Sequence, residues 1–315
     1  MKKESCQLYG GQAVVEGVMF GGKQYSVTAI RRKDDSIEYY ELPNNENNQV
    51  NLLKKIPFLR GIVALIQSSA NGSRHLNFST ERYDVEPGEK NEEMSTSKVT
   101  MILGVAVVGV LSVIFGKMLF TALPAFLANL LFGKLVPDQF YNNLIEGGIK
   151  IIILLGYIYA ISQAPFINRL FQYHGAEHKV INTFETDEEL TVANVKKYSR
   201  FHYRCGSSFI ILSVIIGVII YSIYNEFIPY NNLWDRILQR ITLIPVVVGV
   251  SYEALRFTNY LRNIPVLKWL GLPGVWLQYL TTKEPDDSQI EVSIAAFNRL
   301  RDLDNYTNQD KLLSC

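Results

Sequence analysis

Phe209-Ile-Ile-Leu-Ser-Val-Ile-Ile-Gly-Val-Ile-Ile-Tyr-Ser-Ile-Tyr224 runs without a charged residue, and its reading decides the fold. A surface helix of a globular protein keeps a polar stripe opposite its apolar one. This stretch has none, and its length approaches the roughly 20 apolar residues that cross a bilayer. Three similar blocks occur. Residues 99–133 are nearly all apolar, 147–162 are interrupted only by Lys150, and 241–254 contain Pro245 and end near Glu253. The 99–133 block is too long for one span and short for two. One transmembrane helix over about 99–121 is expected, with an apolar interfacial segment after Pro124; a helical hairpin is the alternative. The fold expected is an α-helical polytopic membrane protein with about four transmembrane helices, occupying 99–256.

Charge orients these spans. Residues 163–208 carry Arg169, Lys179, Lys196, Lys197, Arg200 and Arg204, whereas the connection between the first two spans has only Lys134. Basic loops stay on the cytoplasmic side. Loop 163–208 and both termini are therefore expected in the cytoplasm, in a multi-pass protein of the cell membrane. The connection with Arg236 and Arg240 then faces outward, with Trp234 at an interface. Met-Lys-Lys-Glu-Ser lacks the apolar core of a cleaved signal. The lipid bilayer is the first partner implied. A net charge of +1 offers no bulk field for nucleic acid. Cys6, Cys205 and Cys315 are few, odd in number and scattered, which argues for a reducing compartment and against a disulfide framework. Neither charges paired in mid-span nor an inverted repeat is visible, which weakens a transporter reading.

Residues 1–98 read as a small cytoplasmic α+β head. Residues 10–22, Gly-Gly-Gln-Ala-Val-Val-Glu-Gly-Val-Met-Phe-Gly-Gly, suit a strand with tight turns and fit neither the P-loop nor the dinucleotide fingerprint. Residues 25–32 and 37–42 form a candidate hairpin around Lys33-Asp34-Asp35-Ser36. Leu53, Ile56, Leu59, Ile62 and Leu65 recur at helical spacing in 52–70, where Pro57 marks a kink or the true start. His75 is expected at the surface or at a cap, and 81–98 as a charged linker. In the cytoplasmic tail, 257–315, Asp287 or Ser288 can cap a last helix. Its stripe of Ile290, Ile294, Phe297 and Leu300 is expected to dock on the head, and order is expected to end after Tyr306.

The chemistry concentrates in Tyr173-His-Gly-Ala-Glu-His-Lys179. The chain has four histidines; His174 and His178 lie here at i,i+4, on one face of any helix. His202 and Cys205 follow at H-x-x-C spacing. Spans on either side of 163–208 would return both halves to one membrane surface and bring His174, His178, His202 and Cys205 together as metal ligands. Imidazole and thiolate suit Zn²⁺ best, then Fe²⁺ or Co²⁺. H-x-x-E-H is also the inverted zincin pattern, with Glu177 as catalytic base. Four ligands would close the site and make it structural; three would leave a position for water; a cluster with no metal is a third outcome. Gly175 argues against one regular helix here. Glu16 and Glu253 are candidates for a ligand or its support, and Glu146 for a solvated charge at a span end.

Gly-Gly-Gln-Ala-Val-Val-Glu-Gly-Val-Met (10–19), Pro-Phe-Leu-Arg-Gly (57–61), the 173–179 motif, His-Tyr-Arg-Cys-Gly-Ser-Ser-Phe (202–209) and Pro-Gly-Val-Trp-Leu-Gln (273–278) resemble the YqhQ-like family of bacterial membrane proteins over nearly the whole chain. The resemblance implies a metal-dependent enzyme with no assigned substrate. Many relatives carry Pro at Tyr203, Thr at Ser207 and an Arg near Phe20 and Gly21. The ligand residues are untouched by these departures, but an anion-binding role for that Arg does not carry over. Two functions remain open: a membrane-bound hydrolytic enzyme acting on a lipid, a peptide or an isoprenoid-type molecule, and a non-enzymatic subunit for protein insertion, envelope assembly or transport that works with a membrane-protein partner.

Overall fold

The glycine-rich N-terminus folds as an antiparallel meander, β1 (Gly10–Val14), β2 (Gly17–Gly21), β3 (Tyr25–Arg31) and β4 (Ile37–Pro43), in the order β1-β2-β3-β4. The structure is a computed structural model and describes residues 9–44, 48–83, 115–116, 118–136, 138–261, 264, 266, 269 and 271–313. Val15 and Glu16 make the first turn, with Glu16 at φ 51°. Arg169 holds its carboxylate through two nitrogens, and the Tyr173 hydroxyl donates to it at 3.1 Å.

Alternation assigns the two faces of the sheet. Val18, Phe20, Val27 and Ala29 enter one core; Met19 and Ile30 enter another with Val14. Both faces are covered. After α1 (Asn48–Leu53), Pro57 and Phe58 break the helix expected over 52–70, Phe58 at φ 68°, and α2 (Leu59–Tyr83) covers the Met19 face. His75 lies on that helix and is completely buried. This corrects the expected surface position. Its Nδ1 lies 2.7 Å from Thr28 Oγ1, and Tyr40 packs edge-on against its ring. Most of the 81–98 linker and of the first expected span lies outside the described residues.

The helical part begins with a π-helical turn, Met118–Ala122, and α3 (Leu123–Phe132), a short apolar helix with Pro124 in its first turn. It continues through α4 (Gln139–Ser162), α5 (Pro165–Glu185), α6 (Val192–Val195), α7 (Gly206–Phe227), α8 (Leu233–Thr242), α9 (Ile244–Tyr260), α10 (Leu272–Thr281) and α11 (Asp287–Leu313). α4 and α7 are long and apolar enough to cross a membrane, with mean hydropathy 1.9 and 2.3; α8 and α9, bent by 49°, make a third if taken as one. α4, α7 and α10 share a core of Ile158, Ile211 and Leu277. Glu146 is not solvated as expected: it is buried in α4 and held by Arg236 and Arg240 of α8. The turn spacing of those two arginines puts both on one helix face, so what reads as a charged connection is a helix with its charges turned inward.

α5 and α11 cover the Val18–Phe20 face of the sheet. Ile290, Phe297 and Leu300 are fully buried against it, as the apolar stripe predicts, and Tyr9, Phe20 and Phe184 surround the Phe297 ring. The α11 cap is Asp286 rather than Asp287 or Ser288. Its carboxylate accepts from Gln289 N at 2.9 Å, while Gln289 Oε1 accepts from Asp286 N at 3.0 Å, a reciprocal capping box. The helix runs from Asp287 to Leu313. The sheet thus packs between α2 on one side and α5 with α11 on the other, drawing on three distant parts of the chain.

Candidate metal centre

Residues 163–208 are built mainly on α5. Pro165 at its first position costs no hydrogen bond, and the helix runs unbroken through Gly175. The structure supplies the reason for a glycine there. Lys283 N donates to Phe171 O at 2.9 Å, laying the chain after α10 across α5, and a Cβ on residue 175 would overlap the Lys283 carbonyl. A regular helix places His174, Glu177 and His178 on one face.

Cys205 comes from the start of α7. It is the N-cap residue: its Sγ accepts from Ser207 N at 3.4 Å and lies 3.0 Å from Ser207 Oγ. His174 Nε2 is 3.2 Å from that sulfur. One ligand atom each from His174, His178 and Cys205 fall within 4.8 Å of one another. The other ring nitrogens are fixed by backbone carbonyls, His174 Nδ1 by Thr281 O at 2.8 Å and His178 Nδ1 by Arg200 O at 2.6 Å. Carbonyls only accept, so both rings carry their proton on Nδ1 and keep the Nε2 lone pair for the cluster.

The donor set fits a borderline divalent ion. Zn–N near 2.0 Å and Zn–S near 2.3 Å put tetrahedral N and S ligands about 3.5 Å apart, close to the 3.2 Å between His174 Nε2 and Cys205 Sγ. Burial pushes the Cys205 thiol up, but the His178 ring, the Ser207 hydroxyl and the Ser207 N–H more than reverse this and hold it below its ordinary value. Burial pushes His178 down, against the opposing pull of Cys205, and so keeps the ring neutral as a ligand must be.

Glu177 is buried between these side chains and the sheet. Burial pushes its carboxyl up to about 8, the neighbouring Cys205 raises it further, and His174 and the Gly11 N–H pull the other way. Its Oε2 has no hydrogen-bond partner among the described residues. A Cβ on residue 11 would sit 2.9 Å from Glu177 Cδ and 2.6 Å from Met19 O, so only glycine lets β1 close over the carboxylate. A cavity of 520 Å³ opens beside Glu177, lined by His174, His178, His202, Cys205 and residues 10–13.

His202, expected as a ligand, stands beside the cluster instead. Gln278 grips its backbone on both sides, accepting from His202 N at 2.8 Å and donating to His202 O at 2.7 Å. The ring then lies 5.7 Å from that of His178, with Nε2 3.8 Å from Glu185 Oε2. Glu16 and Glu253 do not reach the cluster either. Glu16 pairs with Arg169, and Glu253 with Arg60, Arg60 Nε donating at 2.6 Å. Gly11, Gln278 and the carbonyls of Arg200 and Thr281 were not singled out from the sequence. Gln278 had a signal, a lone carboxamide in the apolar run of α10; a backbone carbonyl leaves none.

Comparison with known proteins gives two matches. A family model described as "Protein of unknown function (DUF1385)" matches residues 56–303. "Uncharacterized protein YqhQ" of Bacillus subtilis (strain 168) is 53% identical over 307 residues, which cover 96% of this chain and 95% of that protein. No solved structure matches the chain.

Proposed function

From a chain that belongs to the DUF1385 family, we propose a membrane-bound, zinc-dependent hydrolytic enzyme whose site lies at the cytoplasmic membrane surface. His174, His178 and Cys205 are its ligands and Glu177 its general base; another divalent ion such as Fe²⁺ suits the same donors. The observation that carries this reading is the orphaned, buried Glu177 Oε2 beside three convergent ligand atoms and an open cavity. A structural site would have no use for an unsatisfied carboxylate, because leaving such a group unpaired is costly. When bound, the metal would polarise a substrate carbonyl and lower the pKa of water. The protein's part is to orient both imidazoles through Thr281 and Arg200, hold Cys205 as thiolate, and give Glu177 one free oxygen to receive a proton from water.

The membrane reading rests on α4, α7 and the bent α8–α9 pair as spans, together with the expected span over about 99–121. Exposed Ile152, Ile219 and Ile223 on α4 and α7 suit lipid contact. The basic residues of 163–208 support cytoplasmic placement of the site and of both termini. The second reading is a non-enzymatic subunit stapled by its metal. It draws on the ties that already run from the two rings to Thr281 and Arg200.

The test uses the full chain without a histidine tag, purified in detergent and loaded with Zn²⁺. About one zinc per chain is expected. Glu177→Gln should keep the metal and lose hydrolysis of small ester and peptide probes. Metal binding with no hydrolysis by the wild type would leave the stapling reading. No bound metal after reconstitution with Zn²⁺ or Fe²⁺ would remove both.

A further inference from the structure

The cavity beside Glu177 is walled on one side by residues 10–13, the outer strand of the sheet, and on another by Ser68 and Ser69 of α2. We propose that its substrate is an extended polypeptide segment that adds to the free edge of β1 as a fifth strand. This rests on the enzymatic reading above.

The ladder shows which peptide groups are free. Arg31 N donates to Glu16 O, and Gly22 N donates to Tyr25 O, so even-numbered residues along β2 bond toward β3 and odd-numbered ones toward β1. Through the pairs Gly10↔Gly21, Gln12↔Met19 and Val14↔Gly17, the even-numbered residues of β1 bond inward, and Gly11, Ala13 and Val15 face the open edge. Two contacts agree. Gly11 N–H donates to Glu177, and Val15 N donates to Ser79 Oγ at 3.2 Å. Between them, the outward N–H and C=O of Ala13 meet no hydrogen-bonding group among the described residues, and Gly10 and Gly11 are exposed. An unpaired strand edge is a template for another strand.

A peptide paired with Ala13 by two hydrogen bonds runs along the cavity. Two residues further, about 6.6 Å on, it passes Gly11, whose N–H already points at Glu177. Its next carbonyl then lies beside the general base. Water oxygen adds to that carbonyl carbon, and Glu177 takes the water proton. Glu177 passes this proton to the amide nitrogen as the C–N bond breaks, leaving one new carboxyl end and one new amine end. Water is the only co-reactant. A lipid or isoprenoid-type chain would make no use of the Ala13 peptide groups, and this separates a peptide from the other substrate classes.

The test uses the zinc-loaded full chain in detergent, with unfolded β-casein and a fluorogenic decapeptide as probes and p-nitrophenyl acetate as a small ester. Cleavage of casein and decapeptide by the wild type is expected. Ala13→Pro removes the outward N–H at a strand edge, where proline is tolerated. It should lower kcat/KM for the decapeptide about tenfold, the worth of one hydrogen bond of about 1.4 kcal/mol, with zinc content unchanged. On the wild-type protein, N-methylating single amides of the decapeptide should abolish cleavage at alternate positions only, which reads strand pairing even if the variant misfolds. Cleavage insensitive to N-methylation at every position overturns the strand-addition geometry. Ester hydrolysis without peptide cleavage overturns the peptide substrate while the enzymatic reading stands; loss of both activities in a zinc-loaded wild type overturns the two together.

Discussion

His174 Nε2 lies 3.2 Å from Cys205 Sγ, joining the middle of one helix to the N-cap of another. Cys205 also caps α7 and His174 Nδ1 also meets Thr281 O, but Sγ and Nε2 are the atoms that face the cluster, so each residue should be needed for the ion. His174→Ala and Cys205→Ala are each expected to reduce zinc from about one per chain to near zero, measured by elemental analysis of the purified protein. His202→Ala should retain it, since that ring faces Glu185.

Metal removal should expose the cost of burying Glu177. Its carboxyl is pushed up to about 8 by burial, above the ordinary 4.5. Below pH 4.5 it is protonated whether folded or unfolded, and its contribution is fully present. Above that the unfolded chain releases the proton more readily, so stability is lost as pH rises through 8. The metal-free protein should therefore lose thermal stability between pH 6.5 and 8. Glu177→Gln should flatten that slope, and so should Zn²⁺, because a cation beside the carboxylate favours its charged form.

His75 gives the opposite slope. Burial holds its ring down at about 4 instead of 6.5. Stability should fall as pH drops from 6.5 to 4, by about 3 kcal/mol in all. Below pH 6.5 Glu177 opposes it, so the clean comparison is Glu177→Gln against Glu177→Gln with His75→Gln, followed by thermal melts across that window.

Gly175→Ala should destabilise the fold although alanine is the better helix former. The added methyl meets the Lys283 backbone carbonyl, and overpacking of this kind costs about 1–3 kcal/mol, against a helix gain of at most about 1 kcal/mol. Gly148, also helical, has open space around its missing Cβ, so Gly148→Ala should be neutral or stabilising. Chemical denaturation of the two variants checks the sign of each.

Gly175 also shows where reading the sequence stopped. Helix propensity counted it against a helix; the structure keeps the helix and explains the glycine by a strand of chain from residue 283, which no local pattern announces. Apolar runs located α4, α7 and α9, and turn chemistry located the β3–β4 hairpin, because those signals are local; residues 10–22, which suit one strand with tight turns, form two strands paired across the Val15–Glu16 turn. The convergence of His174, His178 and Cys205 could be argued from chain topology. The seclusion of His202 could not, since it follows from Gln278, 76 residues away. His75 was misplaced for a similar reason. Its neighbours Ser-Arg-His-Leu-Asn look exposed, but Thr28 and Tyr40 on distant strands cover it.

The dependence of the sheet on α5 and α11 has a consequence for how the protein is made. β1 to β4 are made long before α11, so the core around Phe20 and Ala29, which Tyr173, Ala176 and Val180 of α5 cover only in part, is completed when Phe297 and Leu300 have been synthesised. At 5–20 residues per second that delay amounts to roughly tens of seconds, with the apolar face of the sheet incompletely covered. A chain truncated before residue 287 should therefore aggregate or be degraded rather than persist as a half-active protein. Completion of the last helix then acts as a checkpoint on release of an intact molecule.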